Sequence, residues 1–169
     1  QAQHFENALY QARRRAERIL REANIHEDFY IASLSSHSVT YKGLCRADQL
    51  GKFYPDLTDP DFESGVALFH QRYSTNTFPS WNLTQPFRMI CHNGEINTLQ
   101  ANQKWMRARE VALELAGKGT SDLTPVIMAG TSDSGAFDNV LEFFVPSGRD
   151  TLPSLMMMVP ELWENVPEG

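Results

Sequence analysis

A helix that is apolar on one side only must find another layer to cover that side, and this chain opens with such a pattern. Phe5, Leu9, Ala12, Ala16, Ile19, Leu20 and Ala23 recur at steps of three and four, which predicts an amphipathic helix over residues 3–23. The period then changes. Residues 29–34 and 39–44 are rich in aromatic and β-branched side chains and flank the polar link Ser35-Ser36-His37-Ser38, the signature of a β-hairpin. A short helix is expected over 46–53, ending before Tyr54-Pro55. Residues 66–73 and 87–92 read as strands, separated by a polar loop with Pro79 and Pro86 as breakers. The second of these strands ends at Asn93-Gly94, a turn signal. Residues 98–116 are expected to be helical, with Leu99, Trp105, Met106, Ala112, Leu113 and Ala116 on one broad face and Gly117 and Gly119 as the stop. Another helix is expected at 138–144. Residues 152–159 are apolar, and their pattern fits helix or strand. Helices alternating with hairpin-linked strands imply a mixed, layered α+β domain.

The 169 residues suit one domain with a real core. A formal net charge of -6 argues against nucleic acid or an anionic membrane as the main partner, because both need basic patches. Arg13, Arg14, Arg15, Arg18 and Arg21 form the one dense basic run. With Glu17 and Glu22 interspersed, it reads as a solvated helix face. Cys45 and Cys91 have no CxxC spacing and build no disulfide framework, which fits a reducing, cytoplasmic setting. No run of apolar residues is long enough to span a membrane, and nothing resembles a signal peptide. The chain starts at Gln1, directly in a helical pattern, and stops at Gly169 just after an apolar segment, so both ends read as cuts through a longer protein.

Three local features bear on chemistry. Arg72, at the end of a predicted strand and followed by Ser74, Thr75 and Thr77, suits a carboxylate, which a guanidinium grips with two parallel hydrogen bonds. Alone, it reads more readily as a partner for one of the domain's own acids. In His92-Asn93-Gly94-Glu95, the Asn93 amide and the Gly94 backbone N–H can converge on a developing oxyanion, and glycine permits positive φ and close approach. Alone, it reads as a plain turn. Asp133, in Thr131-Ser132-Asp133-Ser134, can receive an ammonium group, or the cluster can simply cap the helix that follows.

Taken together, these segments resemble a known family. The strings from His70 to Trp81 (H-Q-R-Y-S-T-N-T-F-P-S-W) and from His92 to Thr98 (H-N-G-E-I-N-T) look like the class II glutamine amidotransferase domain of glutamate synthases. The likeness continues through residues 102–110, 132–142 and 156–161, the hairpin and residues 53–57, so it covers nearly everything from about residue 28 onward. It implies residues 1–169 as a partial glutaminase domain with an incomplete four-layer αββα sandwich, similar to N-terminal nucleophile hydrolases. It further implies that L-glutamine is bound and its side-chain amide hydrolysed to glutamate and ammonia, the ammonia passing to 2-oxoglutarate. Carried over residue by residue, Arg72, with Thr75 beside it, would hold the α-carboxylate and Asp133 the α-ammonium. Asn93 and Gly94 would form the oxyanion hole. The parent's FMN, iron–sulfur cluster and NAD(P)H or ferredoxin would belong to other domains, since this sequence has neither a GxGxxG fingerprint nor a cysteine cluster.

One departure stands out. The family's nucleophile is a cysteine at the mature N-terminus whose own α-amine serves as base, and no residue here matches it. Cys91, beside His92 on a predicted strand, and Cys45 lack an adjacent α-amine and are expected to be structural. His37, His70 and His92 lack metal-ligand spacing. The sequence therefore predicts part of an enzyme, inactive alone and completed by an N-terminal segment and synthase domains. A glutamine-binding or docking module without a nucleophile is the competing reading.

Overall fold

The computed structural model of the chain describes residues 2–25, 29–71, 73, 79–96, 99–115 and 121–159. Within them run helices α1 (Ala2–Glu22), α2 (Leu50–Phe53), α3 (Leu99–Leu115), α4 (Asp133–Phe144) and α5 (Thr151–Met158), with 3-10 turns at Ala47–Gln49 and Pro55–Thr58. The periodicity thus located the helices, and residues 152–159 resolve as helical through α5. Helix α4 begins five residues before its expected start. The reason is local: Ser132 is the N-cap, and its hydroxyl accepts the Gly135 N–H at 3.0 Å.

The core is helical. Tyr10 of α1, Met106 of α3 and Phe143 and Phe144 of α4 close around Val126, with Leu113, Leu123, Ile127, Val140 and Met158 packed against them. The inward side of α1 is not the one the apolar spacing marks. Phe5 and Ile19 are more than half exposed, whereas Tyr10, Arg13 and Arg14 are buried. The expected solvated face of arginines is thereby overturned for Arg13 and Arg14. Arg13 lies 2.6 Å from Glu142 of α4 and 2.5 Å from Glu17, and Arg14 donates to the carbonyls of Leu123, at 2.9 Å, and Pro125. Buried guanidiniums are tolerated because carboxylates and carbonyls meet them. Burial works to raise the Glu17 carboxyl, yet Arg13, Arg88 and Arg14 hold it below the usual carboxylate range.

The expected strands do not form ladders: among the described residues there is no strand. Aromatic and β-branched content signals a preference for pairing and does not supply the partner. Here side chains and turns satisfy the backbone instead. In the 29–44 region, the Thr40 N–H donates to Ser33 Oγ at 2.9 Å, the Ser36 N–H to Glu6 at 2.7 Å, and the Ile31 carbonyl accepts from Arg88. In 87–92, the Met89 and Ile90 N–H groups both end on Asp138 Oδ1, and the Phe87 N–H closes a turn onto the Ile90 carbonyl. Gln85 takes the place of a neighbouring strand at His92, since its side-chain amide accepts the His92 N–H at 2.7 Å and donates to the His92 carbonyl. Cys91, expected to be a structural residue on a strand, is exposed. Val66, Leu68 and Phe69 are exposed as well.

Lys42 joins the 29–44 region to the 81–88 turn. Its ammonium donates to the carbonyls of Trp81 at 2.8 Å and Thr84 at 2.6 Å, and lies 4.6 Å from the centre of the Tyr30 ring. Arg88 approaches the same ring at 4.7 Å. Burial, with Arg88 adding to it and Asp138 opposing, pushes the Lys42 amine down to about 8.

Candidate functional site

Two of the sequence-marked segments meet at the start of α4. Asp133 occupies the first position of that helix, half-buried, where the helix dipole favours a carboxylate. Its Oδ2 accepts the Ile96 N–H at 2.6 Å, and its Oδ1 accepts the Ser134 N–H at 2.6 Å. Oδ2 retains a lone pair for a further donor. The loop that carries Asn93 and Gly94 is therefore bound directly to the acid expected to receive an ammonium group.

The same loop is tied at its other end. His92 Nδ1 and the hydroxyl of buried Ser134 are 2.8 Å apart, and that hydroxyl lies 3.4 Å from Asp133 Oδ1. Residues 92–96 thus span between two consecutive residues of α4, with Asn93 and Gly94 exposed in the middle. Gly94 does not use the positive φ that glycine permits; among the described glycines that conformation belongs to Gly130 and Gly148. Its demand is space: a Cβ there would come within 3.2 Å of His92 Cε1 and 3.3 Å of His92 Nε2. An Asn amide and a glycine N–H on a loop pinned at both ends are suited to stabilising a negative oxygen, because such donors act best when already in place.

Sequence reasoning missed the residues that hold this loop from beneath. Asp138, 1% exposed, fastens Met89 and Ile90, and Gln85 fastens His92. A signal was present, since Ser134, Asp138 and Glu142 follow one another at steps of four in a helix whose other polar residues are Asp133 and Asn139, and so share one face. Arg72 and Thr75, the expected carboxylate receptor, lie outside the described residues. Their neighbour Tyr73 accepts the Ser80 N–H on its hydroxyl at 3.3 Å.

A cavity of about 460 Å³ opens beside Asp133 and Ile96, walled by Leu99, Met106, Phe137 and Met158 from α3, α4 and α5. Its size and largely apolar lining with a few polar groups are those of small-molecule sites. A second cavity, of about 220 Å³, lies over Lys42 between Tyr30, Tyr54 and Trp81. Among the described residues, no group of His, Cys, Asp or Glu is placed to hold a metal ion, and no helix is long and apolar enough to cross a membrane.

Comparison with known proteins gives a consistent result. Residues 1–168 match the family described as glutamine amidotransferases class-II. The NADPH glutamate synthase large chain of Azospirillum brasilense is 54% identical over 159 residues, which are 93% of this chain and 10% of that protein. The NADPH glutamate synthase large chain of Bacillus subtilis is 47% identical over 161 residues, 94% of this chain and 10% of the relative. The ferredoxin-dependent glutamate synthase of Cyanidium caldarium is 44% identical over 163 residues, 95% and 10% of the respective chains. The chain spans about a tenth of the length of these relatives.

Proposed function

Because the chain belongs to the class II glutamine amidotransferases, we propose that it forms the glutamine-handling part of the glutaminase domain of a glutamate synthase. The observation that carries this reading is the 92–96 loop, tied to Ser134 and Asp133 at its two ends. Glutamine is a zwitterion with an amide at its far end. Asp133 receives the α-ammonium, and Arg72, with Thr75 beside it, receives the α-carboxylate. The amide carbonyl then lies at the Asn93-Gly94 turn. Attack by a thiol converts that carbonyl to a tetrahedral oxyanion, which the Asn93 side-chain NH2 and the Gly94 N–H stabilise. Collapse of the tetrahedral species expels ammonia, and water releases glutamate from the enzyme.

The attacking thiol of this reaction needs an α-amine as its base. Cys91 and Cys45 both sit mid-chain without one, so residues 1–169 hold glutamine without cleaving it. In this reading the chain lies within an αββα sandwich whose nucleophile the parent protein contributes. The protein works in the cytoplasm. It takes electrons from NADPH, NADH or ferredoxin, the donors for which its relatives are named. An FMN and an iron–sulfur cluster belong to the parent's other domains. Two isolated cysteines cannot supply the four thiolates that a cluster requires.

The test is Asn93→Ala in the full-length protein. Loss of one oxyanion donor lowers glutamine hydrolysis roughly 100- to 1000-fold. Near-normal turnover would remove Asn93, and with it this site, from the reaction.

A further inference from the structure

Asn93 and Gly94 bind one end of the substrate in the reading above, and Asp133 binds the other. What sets the distance between them is a question of side-chain length, and the described residues contain a rigid link between the two. His92 directly precedes Asn93, and Ser134 directly follows Asp133. The imidazole is fixed on two sides. Its Nδ1 meets the Ser134 hydroxyl at 2.8 Å, while its Cε1 and Nε2 edge stands so close to Gly94 that a Cβ there would come within 3.2 Å. The Ser134 hydroxyl is itself fixed: the residue is 3% exposed, and its Oγ lies 3.4 Å from Asp133 Oδ1. The contact holds in either ring tautomer, because the hydroxyl can accept from Nδ1–H or donate to a bare Nδ1. The ring is thereby held in one orientation, as a spacer between the glycine of the turn and the first turn of α4.

We propose that His92 and Ser134 are a positioning pair that fixes the separation of the Asn93-Gly94 turn from Asp133, and so selects a glutamine-length side chain over the asparagine-length one. The inference rests on the proposed roles of Asn93, Gly94 and Asp133 and adds to them a determinant of specificity. With the spacer in place, an amide one methylene shorter cannot reach the oxyanion donors while its ammonium stays on Asp133. With the spacer loosened, the turn can approach α4 and the shorter amide is penalised less. One methylene is worth roughly 10- to 200-fold in discrimination, which sets the scale of the effect.

The experiment measures kcat/KM for L-glutamine and L-asparagine in the full-length protein carrying Ser134→Ala, after thermal unfolding has established that the variant is folded. The ratio of glutamine to asparagine should fall about tenfold or more, and Ser134→Thr, which keeps the hydroxyl, should retain it. A merely structural role lowers both substrates in proportion, so an unchanged ratio overturns the proposal. If Ser134→Ala does not fold, His92→Gln, which removes the ring from Gly94, gives the same readout. A fall in the ratio then supports the spacer, and an unchanged ratio overturns it. Asn93→Ala is measured alongside. If it abolishes hydrolysis of both amides while the spacer variants leave the ratio intact, the spacer inference fails and the site stands. If it leaves hydrolysis intact, the site itself fails and takes the spacer with it.

Discussion

Asp138 holds a charge where the fold resists one, and replacing it with its neutral isostere should stabilise the protein in a pH-dependent way. The residue is 1% exposed, and its Oδ1 accepts the N–H groups of Met89 at 2.7 Å and Ile90 at 3.0 Å. Burial pushes its carboxyl up from 3.8 to about 6, with Glu142 adding to the rise and the two N–H donors and Arg88 opposing it. Between those two pH values the folded protein keeps a proton that the unfolded chain has released. The native state is therefore favoured at pH below about 3.8, and that advantage is lost as the pH climbs through about 6. Above it, the charge costs the fold up to about 3 kcal/mol, at 1.36 kcal/mol for each tenfold change in proton affinity. Asp138→Asn keeps an oxygen for both N–H groups and carries no charge. Urea unfolding from about pH 4 to about pH 8 should show the variant gaining roughly 1–3 kcal/mol over the parent at the upper end and close to nothing at the lower. A difference that stays flat across this range, or a variant less stable at neutral pH, would refute the reasoning. The two hydrogen bonds to the ionised form would then balance its burial in the first case and outweigh it in the second.

Other consequences are more direct. Glu142→Ala removes the carboxylate 2.6 Å from Arg13 and leaves a guanidinium that is 2% exposed with one partner fewer, so chemical denaturation should register a loss of roughly 3–5 kcal/mol. Ser132→Ala deletes the cap of α4 and should cost about 1 kcal/mol by the same measurement. Gly94→Ala brings a Cβ to 3.2 Å from the His92 ring, so the turn must shift by a few tenths of an ångström. Hydrolysis in the full-length protein should slow by about tenfold in kcat while the melting temperature changes little.

How far the sequence could be read depended on whether a signal was local. Helix positions follow from spacing and caps, and both are local: α1 and α3 fall within a residue of their expected bounds, and α5 emerges from an apolar run that fitted two structures. The inward face of α1 was not legible, because burying Arg13 and Arg14 requires Glu142 and the carbonyls of residues 123 and 125, far away in the chain. Residues 87–92 carry strand-forming side chains, but where their backbone bonds go is decided by Asp138 and Gln85. Asn93, Gly94 and Asp133 were each ambiguous by themselves, and only the resemblance joined them. The bond from Ile96 to Asp133 now gives that association a physical form. The contact between His92 and Ser134 left no trace in either segment that could have been read alone.

The side-chain anchoring of residues 89–96 also makes the loop its own reporter. The amide protons of Met89, Ile90 and Ile96 all end on carboxylates of α4, whereas that of His92 ends on Gln85. In a hydrogen-exchange experiment, detachment of α4 would unprotect the first three together and leave His92 shielded. Release of Gln85 would expose His92 alone. Titration of Asp138 would move the nitrogen resonances of Met89 and Ile90 with a single midpoint. Four amides therefore distinguish movement of the helix from movement of the turn, and they can be followed with no substrate present.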